Sequence, residues 1–151
     1  MGKRGRPRVF VDADVIFAGS ASPSEHSASL VTLRMGEITL IDAVTSRQAI
    51  TEAERNLAEK IPDALTTFRL PVERSLRVVP NPSRRDLLAH GDIAHVKDLP
   101  ILVAAARERC QWLVTFNVGD FVPGHPDVTV LRPGDFVQRV RTLLTHLDVP
   151  K

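Results

Sequence analysis

Two aspartates, Asp12 and Asp14, stand one residue apart at the end of the apolar run RVFVD, residues 8–12. A carboxylate at the end of a buried strand can bind a metal ion, attack phosphorus or transfer a proton. Other acidic residues suited to such chemistry lie far along the chain, at Glu52, Asp98 and Asp120. Whether these acids meet in one site depends on the strands and helices that carry them.

Short apolar runs rich in β-branched residues alternate along the chain with longer segments of helical periodicity. This alternation is typical of an α/β domain in which helices cover a parallel sheet. We predict five strands, at residues 8–12, 38–42, 76–80, 112–116 and 128–131. Because 151 residues suit one globular domain, we predict a single domain at 9–148 after a basic tail at 1–8.

Helices are predicted between the strands and after the last one. Three of them begin at a serine that is typical of a helix N-cap, namely Ser24, Ser46 and Ser83. The helix after Asp98 has Pro100 in its first turn and is almost entirely apolar, which predicts that it is buried. The last helix, in PGDFVQRVRTLLTHLD, has an apolar side formed by Phe136, Val140, Leu143, Leu144 and Leu147.

The composition narrows the possible functions. The single cysteine, Cys110, excludes an intramolecular disulfide and a thiolate metal cluster, which fits a reducing cytoplasm. No apolar stretch reaches the roughly 18 residues expected of a membrane span. We therefore expect a cytoplasmic protein. Since Tyr is absent and aromatic residues make up only 5% of the chain, a nucleic-acid ligand would be bound mainly through its backbone.

The start of the chain is basic. The net charge of the protein is +2, and the segment KRGRPR at residues 3–8 carries four positive charges, so the rest of the chain has a net charge of −2. The segment resembles an AT-hook, a short Arg-Gly-Arg-Pro element that lies in the minor groove of A·T-rich DNA. A solvated tail and a general phosphate contact through Arg4, Arg6 and Arg8 are the alternatives.

The four main acids can meet if the first and fourth strands are neighbours. Ligands of open α/β sheets gather beyond the carboxyl ends of the strands, where the strand order changes direction. A cluster of Asp12, Glu52, Asp98 and Asp120 without Lys or Arg would be self-repulsive, and divalent cations neutralise such clusters. Oxygen ligands favour Mg²⁺ or Mn²⁺, and the five histidines show no paired metal-ligand spacing.

Three segments resemble those of PIN domains. VFVDADVIFAG is similar to the opening strand of that family, and ITEAERNL is similar to its second acidic segment. KDLPILVAAARERCQWLVTFNVGDF, residues 97–121, resembles its Asp, apolar helix, turn, strand and closing Thr-x-Asn-x-x-Asp-Phe segment. Together these matches cover nearly the whole chain in the expected order.

The resemblance implies a three-layer α/β/α sandwich with a central parallel sheet and the metal-dependent ribonuclease activity of VapC-like toxins. It implies RNA as substrate, one or two Mg²⁺ or Mn²⁺ ions, a homodimer and a cognate antitoxin. The implied metal ligands and catalytic acids are Asp12, Glu52, Asp98 and Asp120. Asp14, Thr115 and Asn117 would support them, although some relatives carry Asp in place of Asn117, which bears on a second metal ion.

Two assignments stay open within this interpretation. Helical geometry does not separate Glu52 from Glu54, which lies closer to the apolar stripe of its helix, and the family register alone favours Glu52. Arg55 belongs to an ordinary solvated face, from which it could contact phosphate. We treat it as a weak candidate for RNA binding.

Two other functions are compatible with the opening stretch. Haloacid-dehalogenase phosphatases also end their first strand in Asp-x-Asp, where the second Asp is an acid and base. They would further need a hydroxyl such as Thr45 or Ser46 after the second strand, and a lysine such as Lys97. The other alternative is a catalytically inactive PIN-like module for RNA binding or assembly, which the presence of all four acids disfavours.

Overall fold

A sheet of five parallel strands lies at the centre of the computed structural model, which describes residues 5–21, 24 and 27–147. The strands are β1 (Arg8–Val11), β2 (Asp42–Ser46), β3 (Arg77–Val79), β4 (Trp112–Val114) and β5 (Thr129–Leu131). Their order is β3-β2-β1-β4-β5, and each neighbouring pair is parallel. The strand order therefore changes direction between β1 and β4, where open α/β sheets form ligand-binding crevices.

Helices connect the strands and follow the last one. In the described part of the chain they are α1 (Ala13–Ala21), α2 (Ala28–Glu37), α3 (Arg47–Lys60), α4 (Leu65–Ser75), α5 (Arg84–His90), α6 (Leu99–Arg107) and α7 (Pro133–Thr145). Short 3₁₀ helices lie at Pro62–Ala64 and Val118–Phe121. None of the helices within these described segments is long and apolar enough to cross a membrane.

The helices cover both faces of the sheet. α1 packs against α2 and α3, and α2 also contacts α4 and α7, so these helices form one layer. α6 contacts α5, β2 and β4 and forms the other layer with α5. Right-handed crossovers explain the division, because the chain crosses the sheet in one direction from β1 to β3 and returns in the other direction to β4. The predicted α/β class and three-layer α/β/α sandwich are confirmed.

The core lies around β1, β4 and α6. Val9, Phe10 and Val11 in β1 are fully buried, as are Leu113 and Val114 in β4. Continuous apolar strands are expected where helices cover both faces of a parallel sheet. The predicted burial of α6 is also confirmed, since all five residues of the segment 101–105 are buried.

The predicted position of the second strand, residues 38–42, is wrong. α2 continues to Glu37, and Thr39 has a φ of 64°, so the apolar residues that follow α2 form a turn. β2 begins instead at Asp42, which pairs with Arg8 of β1. The side chains of this pair form an ion pair of 2.9 Å, and a polar contact therefore marks the start of the strand.

The sequence analysis also missed α1. This helix begins directly after Asp12, whose carbonyl accepts hydrogen bonds from the N–H groups of Val15 and Ile16, both at 3.1 Å. Its sequence, ADVIFAGSA, is apolar on most sides and shows no amphipathic pattern. Gly19 permits close packing on α2, because a Cβ there would lie 2.7 Å from Cδ1 of Leu33. Asp14 is consequently a residue of the first turn of a helix.

The helix caps were predicted correctly in two of three cases. Ser46 caps α3 and Ser83 caps α5. The N-cap of α2 is Ser27 rather than Ser24, and its Oγ accepts from the N–H of Leu30 at 3.4 Å. The apolar side predicted for α7 is only partly buried, since Phe136 and Val140 are covered while Leu143, Leu144 and Leu147 are exposed.

Candidate active site

The carboxyl ends of β1 and β4 bring Asp12 and Thr115 into contact. Asp12 follows β1 and donates its N–H to the carbonyl of Val114 at 3.0 Å. Thr115 follows β4, and its Oγ1 donates to Oδ2 of Asp12 at 2.9 Å. The predicted adjacency of the first and fourth strands is therefore confirmed, and it joins residues 103 positions apart in the chain.

Asp12 is the most buried of the acids, with 6% of its surface exposed. Its Oδ1 accepts the N–H of Ala13 at 2.7 Å. Burial, followed by the negative charge of Asp14, raises the pKa of Asp12 to about 7, against the lowering effect of its two hydrogen bonds. The charge of Asp98 contributes in the same direction. Asp12 thus lies in an environment in which a nearby positive charge would be stabilising.

Asp14 fixes the segment that follows β4. Its Oδ2 accepts the N–H of Phe116 at 3.0 Å and hydrogen bonds from Thr115 Oγ1 and Asn117 Nδ2, both at 3.3 Å. Burial raises the pKa of Asp14. Its other oxygen, Oδ1, is buried and has no hydrogen-bond partner in the described structure. A buried carboxylate oxygen without a donor is costly, and a ligand could satisfy it.

Asp98 occupies the N-cap position of α6, but its side chain makes no capping hydrogen bond. The alternative role of Asp98 as a simple helix cap is therefore not realised. Burial and then the negative charge of Asp120 raise the pKa of the Asp98 carboxyl, and the charge of Glu52 adds to the effect. Since Asp98 in turn raises the pKa of Asp12, the electric fields of all four acids overlap.

Asp120 and Glu52 lie at the margin of this group. Asp120 is exposed in the 3₁₀ helix Val118–Phe121, and its carbonyl accepts the N–H of His95 at 2.8 Å, which ties this helix to the segment before α6. Glu52 is partly buried on α3, where its Oε1 lies 3.4 Å from Nε2 of Gln48. Both side chains are less constrained than Asp12 and Asp14.

The site is rich in negative charge. Within residues 5–21, 24 and 27–147, none of the four acids nor Asp14 forms an ion pair with Lys or Arg. The same segments contain no group of three or more His, Cys, Asp or Glu side chains already placed to hold a metal ion. The charge and the oxygen donors suit a hard cation such as Mg²⁺, while the side chains do not form a closed ligand shell as they stand.

Comparisons with known proteins identify the fold. No family model and no curated protein matches the sequence. The structure is similar to a chain in the crystal structure of VapBC2 from Rickettsia felis bound to a DNA fragment from their promoter, with a TM-score of 0.58 and 14% sequence identity. The alignment covers 83% of the present chain and 98% of that chain. The chain has a PIN-like fold.

The predicted phosphate-binding arginines do not lie together in this PIN-like structure. Arg8 is the first residue of β1, at the end of the strand opposite to Asp12, and its guanidinium donates to Asp42 at 2.9 Å and to the carbonyl of Glu108 at 2.7 Å. Arg6 and Arg55 are exposed, and Arg4 lies outside the described residues. Arg8 thus has a structural role that the sequence analysis missed.

The hydroxyl groups required by the phosphatase alternative have structural partners. Thr45 is fully buried and donates to the carbonyl of Val11 at 2.8 Å. The side chain of Ser46 caps α3 by accepting the N–H of Ala49 at 3.3 Å. Asp14, which a phosphatase would use as acid and base, instead accepts three hydrogen bonds through one oxygen. The geometry therefore disfavours phosphatase chemistry.

Two backbone groups of the site were not foreseen. The N–H groups of Ala13 and Phe116 donate to Asp12 and Asp14 and hold their carboxylates in place. Every residue except proline carries such a donor, so the sequence has no signal for them. The role predicted for Cys110, in contrast, is confirmed, since it is buried and burial raises the pKa of its thiol to about 12.

Proposed function

We propose that this protein is a PIN-family endoribonuclease that depends on Mg²⁺ or Mn²⁺. The observation that carries the proposal is the convergence of Asp12, Asp14 and Asp98 at the carboxyl ends of β1 and β4, where the pKa of each carboxyl is raised. Burying carboxylates without basic partners destabilises a protein, so such a cluster needs a functional reason. Binding a divalent cation is the reason that best fits these donors.

The acids Asp12, Glu52, Asp98 and Asp120 would hold one or two ions. When bound, such ions lower the pKa of a water molecule and balance the charge on the phosphodiester group. We assign Glu52 rather than Glu54 to this set because the charge of Glu52 acts on Asp98. The side chains of Glu52 and Asp120 would move inward as the shell closes, since they are the less constrained members of the set.

The remaining polar residues orient the acids. Thr115 donates to Asp12 and fixes the position of its carboxylate. Asp14 holds the backbone of Phe116 and the amide of Asn117, so it acts as a support for the loop after β4. Because Asn117 supplies an amide where some relatives of the implied family have a carboxylate, we favour a single strongly bound ion.

Single-stranded RNA is the substrate that we propose. Phe116 is 43% exposed, and its backbone is fixed directly beside Asp14. An exposed aromatic ring beside the acids gives an unpaired base a surface on which to stack. Hydrolysis would leave a 5′-phosphate on one product and a 3′-hydroxyl on the other.

We further propose that the protein is the toxin of a type II toxin–antitoxin pair and forms a homodimer. The PIN-like fold that it shares with a chain of the VapBC2 complex supports the pairing. The exposed leucines at the end of α7, Leu143, Leu144 and Leu147, are 48%, 47% and 62% exposed and would suit a protein interface.

Cleavage of an unstructured RNA tests the proposed activity. The parent protein should cut the RNA with Mn²⁺ and stop when EDTA is added, while Asp12→Asn and Asp98→Asn should be inactive under both conditions. Asp127→Asn is a suitable control, because Asp127 is exposed at the opposite end of the sheet, before β5. Equal cleavage by all four proteins, or cleavage that EDTA leaves unchanged, would refute the proposal.

A further inference from the structure

A second charged surface lies at the end of the sheet opposite to the acids. Two adjoining cavities of about 710 Å³ and 490 Å³ lie there, and Arg109 and Gln111 line both of them. Arg6 and Arg8 line the larger cavity and Arg107 lines the smaller one. We call these four arginines the basic face. It lies where β1 and β4 begin, whereas Asp12 and Thr115 follow the ends of the same strands.

Two members of the basic face are bound within the fold. Arg8 donates to Asp42 and to the carbonyl of Glu108, and Arg107 forms an ion pair of 3.1 Å with Glu108. Arg6 and Arg109 are exposed, and in the part of the chain that the structure describes they form no side-chain hydrogen bond and no ion pair. These two guanidinium groups are therefore free to bind an anionic ligand.

The acid that lines the larger cavity does not offset these two charges. Asp42 pairs with Arg8 at 2.9 Å and with Arg77 at 3.0 Å. Burial opposes its charge, but hydrogen bonds from Arg77 and Arg8 hold the pKa of Asp42 below its usual range. Asp127 is exposed and lines the smaller cavity, so the excess positive charge lies in the larger one.

Arg109 occupies a backbone position that normally favours glycine. Its φ is 58°, a left-handed conformation that L side chains rarely adopt. It ends α6, with its N–H donating to the carbonyl of Ala106 at 3.1 Å and the N–H of Cys110 donating to that of Ala105 at 2.9 Å. This is the Schellman pattern, in which glycine is the usual residue. An arginine that is strained in this way and lacks a partner points to a role for its side chain.

The tail reaches the same cavity. The carbonyl of Pro7 accepts the N–H of Asp42 at 2.9 Å, which fixes the chain next to Arg6 at the edge of the sheet. Residues 4–7 read Arg-Gly-Arg-Pro, the element that resembles an AT-hook. The narrow minor groove of A·T-rich DNA has an enhanced negative potential that attracts arginine.

We propose that the basic face binds A·T-rich duplex DNA, with Arg6 entering the minor groove and Arg109 contacting a neighbouring phosphate. A duplex fits better than single-stranded RNA because the larger cavity offers no free aromatic surface for an unpaired base. Its aromatic residue, Trp112, is partly buried and packs edge-on against Phe136 with ring centroids 5.9 Å apart. This activity is separate from hydrolysis at the acids.

Fluorescence anisotropy with an A·T-rich duplex, a G·C-rich duplex and a single-stranded RNA of equal length tests the proposal, with EDTA present to prevent hydrolysis. The variants are Arg6→Ala with Arg109→Gly, and the control is Arg69→Ala on α4, whose side chain is also exposed. Glycine suits the left-handed backbone at position 109, so the double variant should melt at the same temperature as the parent or higher.

The parent should prefer the A·T-rich duplex, and the double variant should bind it about tenfold more weakly with a salt dependence reduced by about 0.9 per lost phosphate contact. Arg69→Ala should bind like the parent. Equal binding of the duplex by the parent and the double variant, no preference for A·T pairs, or tighter binding of RNA would overturn the proposal. Asp12→Asn should bind the duplex like the parent, which separates this test from that of the ribonuclease.

Discussion

The hydroxyl of Thr115 lies 2.9 Å from Oδ2 of Asp12, and both residues are buried at the junction of β1 and β4. A hydroxyl carries one proton, which it donates mainly to Asp12, since Asp14 is farther away at 3.3 Å. Thr115 also accepts the N–H of Asn117 at 3.2 Å. It therefore links the acid of the first strand to the loop that follows the fourth.

Removing this hydroxyl should impair the site more than the fold. Thr115→Val keeps the shape of the side chain but leaves Asp12 Oδ2 without its donor, so we expect unfolding free energy to fall by about 1–3 kcal/mol. We also expect cleavage to slow by about tenfold or more, because Asp12 loses its orientation. Urea denaturation and single-turnover RNA cleavage measure the two effects.

Thr45→Val is the matched control for this experiment. Thr45 is equally buried, and its hydroxyl donates to a backbone carbonyl rather than to an acid. It should lose similar stability and retain most of its activity. If both valine variants lost activity to the same extent, the specific role of Thr115 in orienting Asp12 would have to be abandoned.

The raised pKa of Asp12 predicts a pH-dependent gain in stability for Asp12→Asn. In the folded protein its pKa is about 7 and in the unfolded chain about 3.8, so between these values the folded form retains a proton that the unfolded form has lost. Raising the pH through this range therefore destabilises the parent, by a few kcal/mol in total. In EDTA, the melting temperature of Asp12→Asn should exceed that of the parent by more at pH 8 than at pH 5.

Asp86→Asn provides a control of opposite sign. Hydrogen bonds from the backbone and side chain of Ser83 lower the pKa of Asp86, so its charge stabilises α5 at pH 8 and this contribution is lost as the pH falls toward its folded pKa. Asp86→Asn should therefore melt slightly below the parent at pH 8. A gain for Asp12→Asn that did not change between pH 5 and pH 8 would contradict the raised pKa.

The course of the chain was predictable where the pattern of apolar residues was unambiguous. β1 and α6 consist of apolar residues in a sheet and a helix that are covered by other elements, and both were predicted. ITLID was misassigned as the second strand because its apolar side chains resemble a strand, although Ile38 and Leu40 are exposed in the turn after α2. The ion pair between Arg8 and Asp42, which marks the true start of β2, depends on the tertiary structure.

The candidate site was predictable in its acids but not in its geometry. The order of Asp12, Asp98 and Asp120 along the chain, with the motif around Thr115, pointed to one crevice. The support that Asp14 gives to Phe116 depends on α1, a helix whose uniformly apolar sequence concealed it. The left-handed backbone of Arg109 could not be anticipated either, because glycine is the residue that normally indicates such a conformation.

A pair of substitutions on α3 tests which glutamate belongs to the site. Glu52→Gln should reduce the rate of RNA cleavage by about tenfold or more and weaken the apparent affinity for Mn²⁺, because a carboxylate ligand is lost. Glu54→Gln should behave like the parent. Steady-state cleavage rates over a range of Mn²⁺ concentrations measure both effects. The opposite result for the two variants would move the assignment to Glu54.

Expression in a bacterial host tests the proposed toxin role. Induction of the parent protein should arrest growth, and co-expression of the protein encoded by the neighbouring open reading frame should relieve the arrest. Induction of Asp12→Asn to the same protein level should leave growth unchanged. Arrest by both proteins would show that the toxicity does not come from the acidic site, and normal growth with the active parent would refute the toxin role.

The most direct test of the central claim is the Mn²⁺ dependence of RNA cleavage by the metal-free parent and by Asp12→Asn, followed on an end-labelled single-stranded RNA. The parent should cut only after Mn²⁺ is added and should leave 5′-phosphate and 3′-hydroxyl ends, while Asp12→Asn, although folded, should be slower by about 100-fold or more at every concentration. Cleavage without metal, or equal rates for the two proteins, would contradict the account.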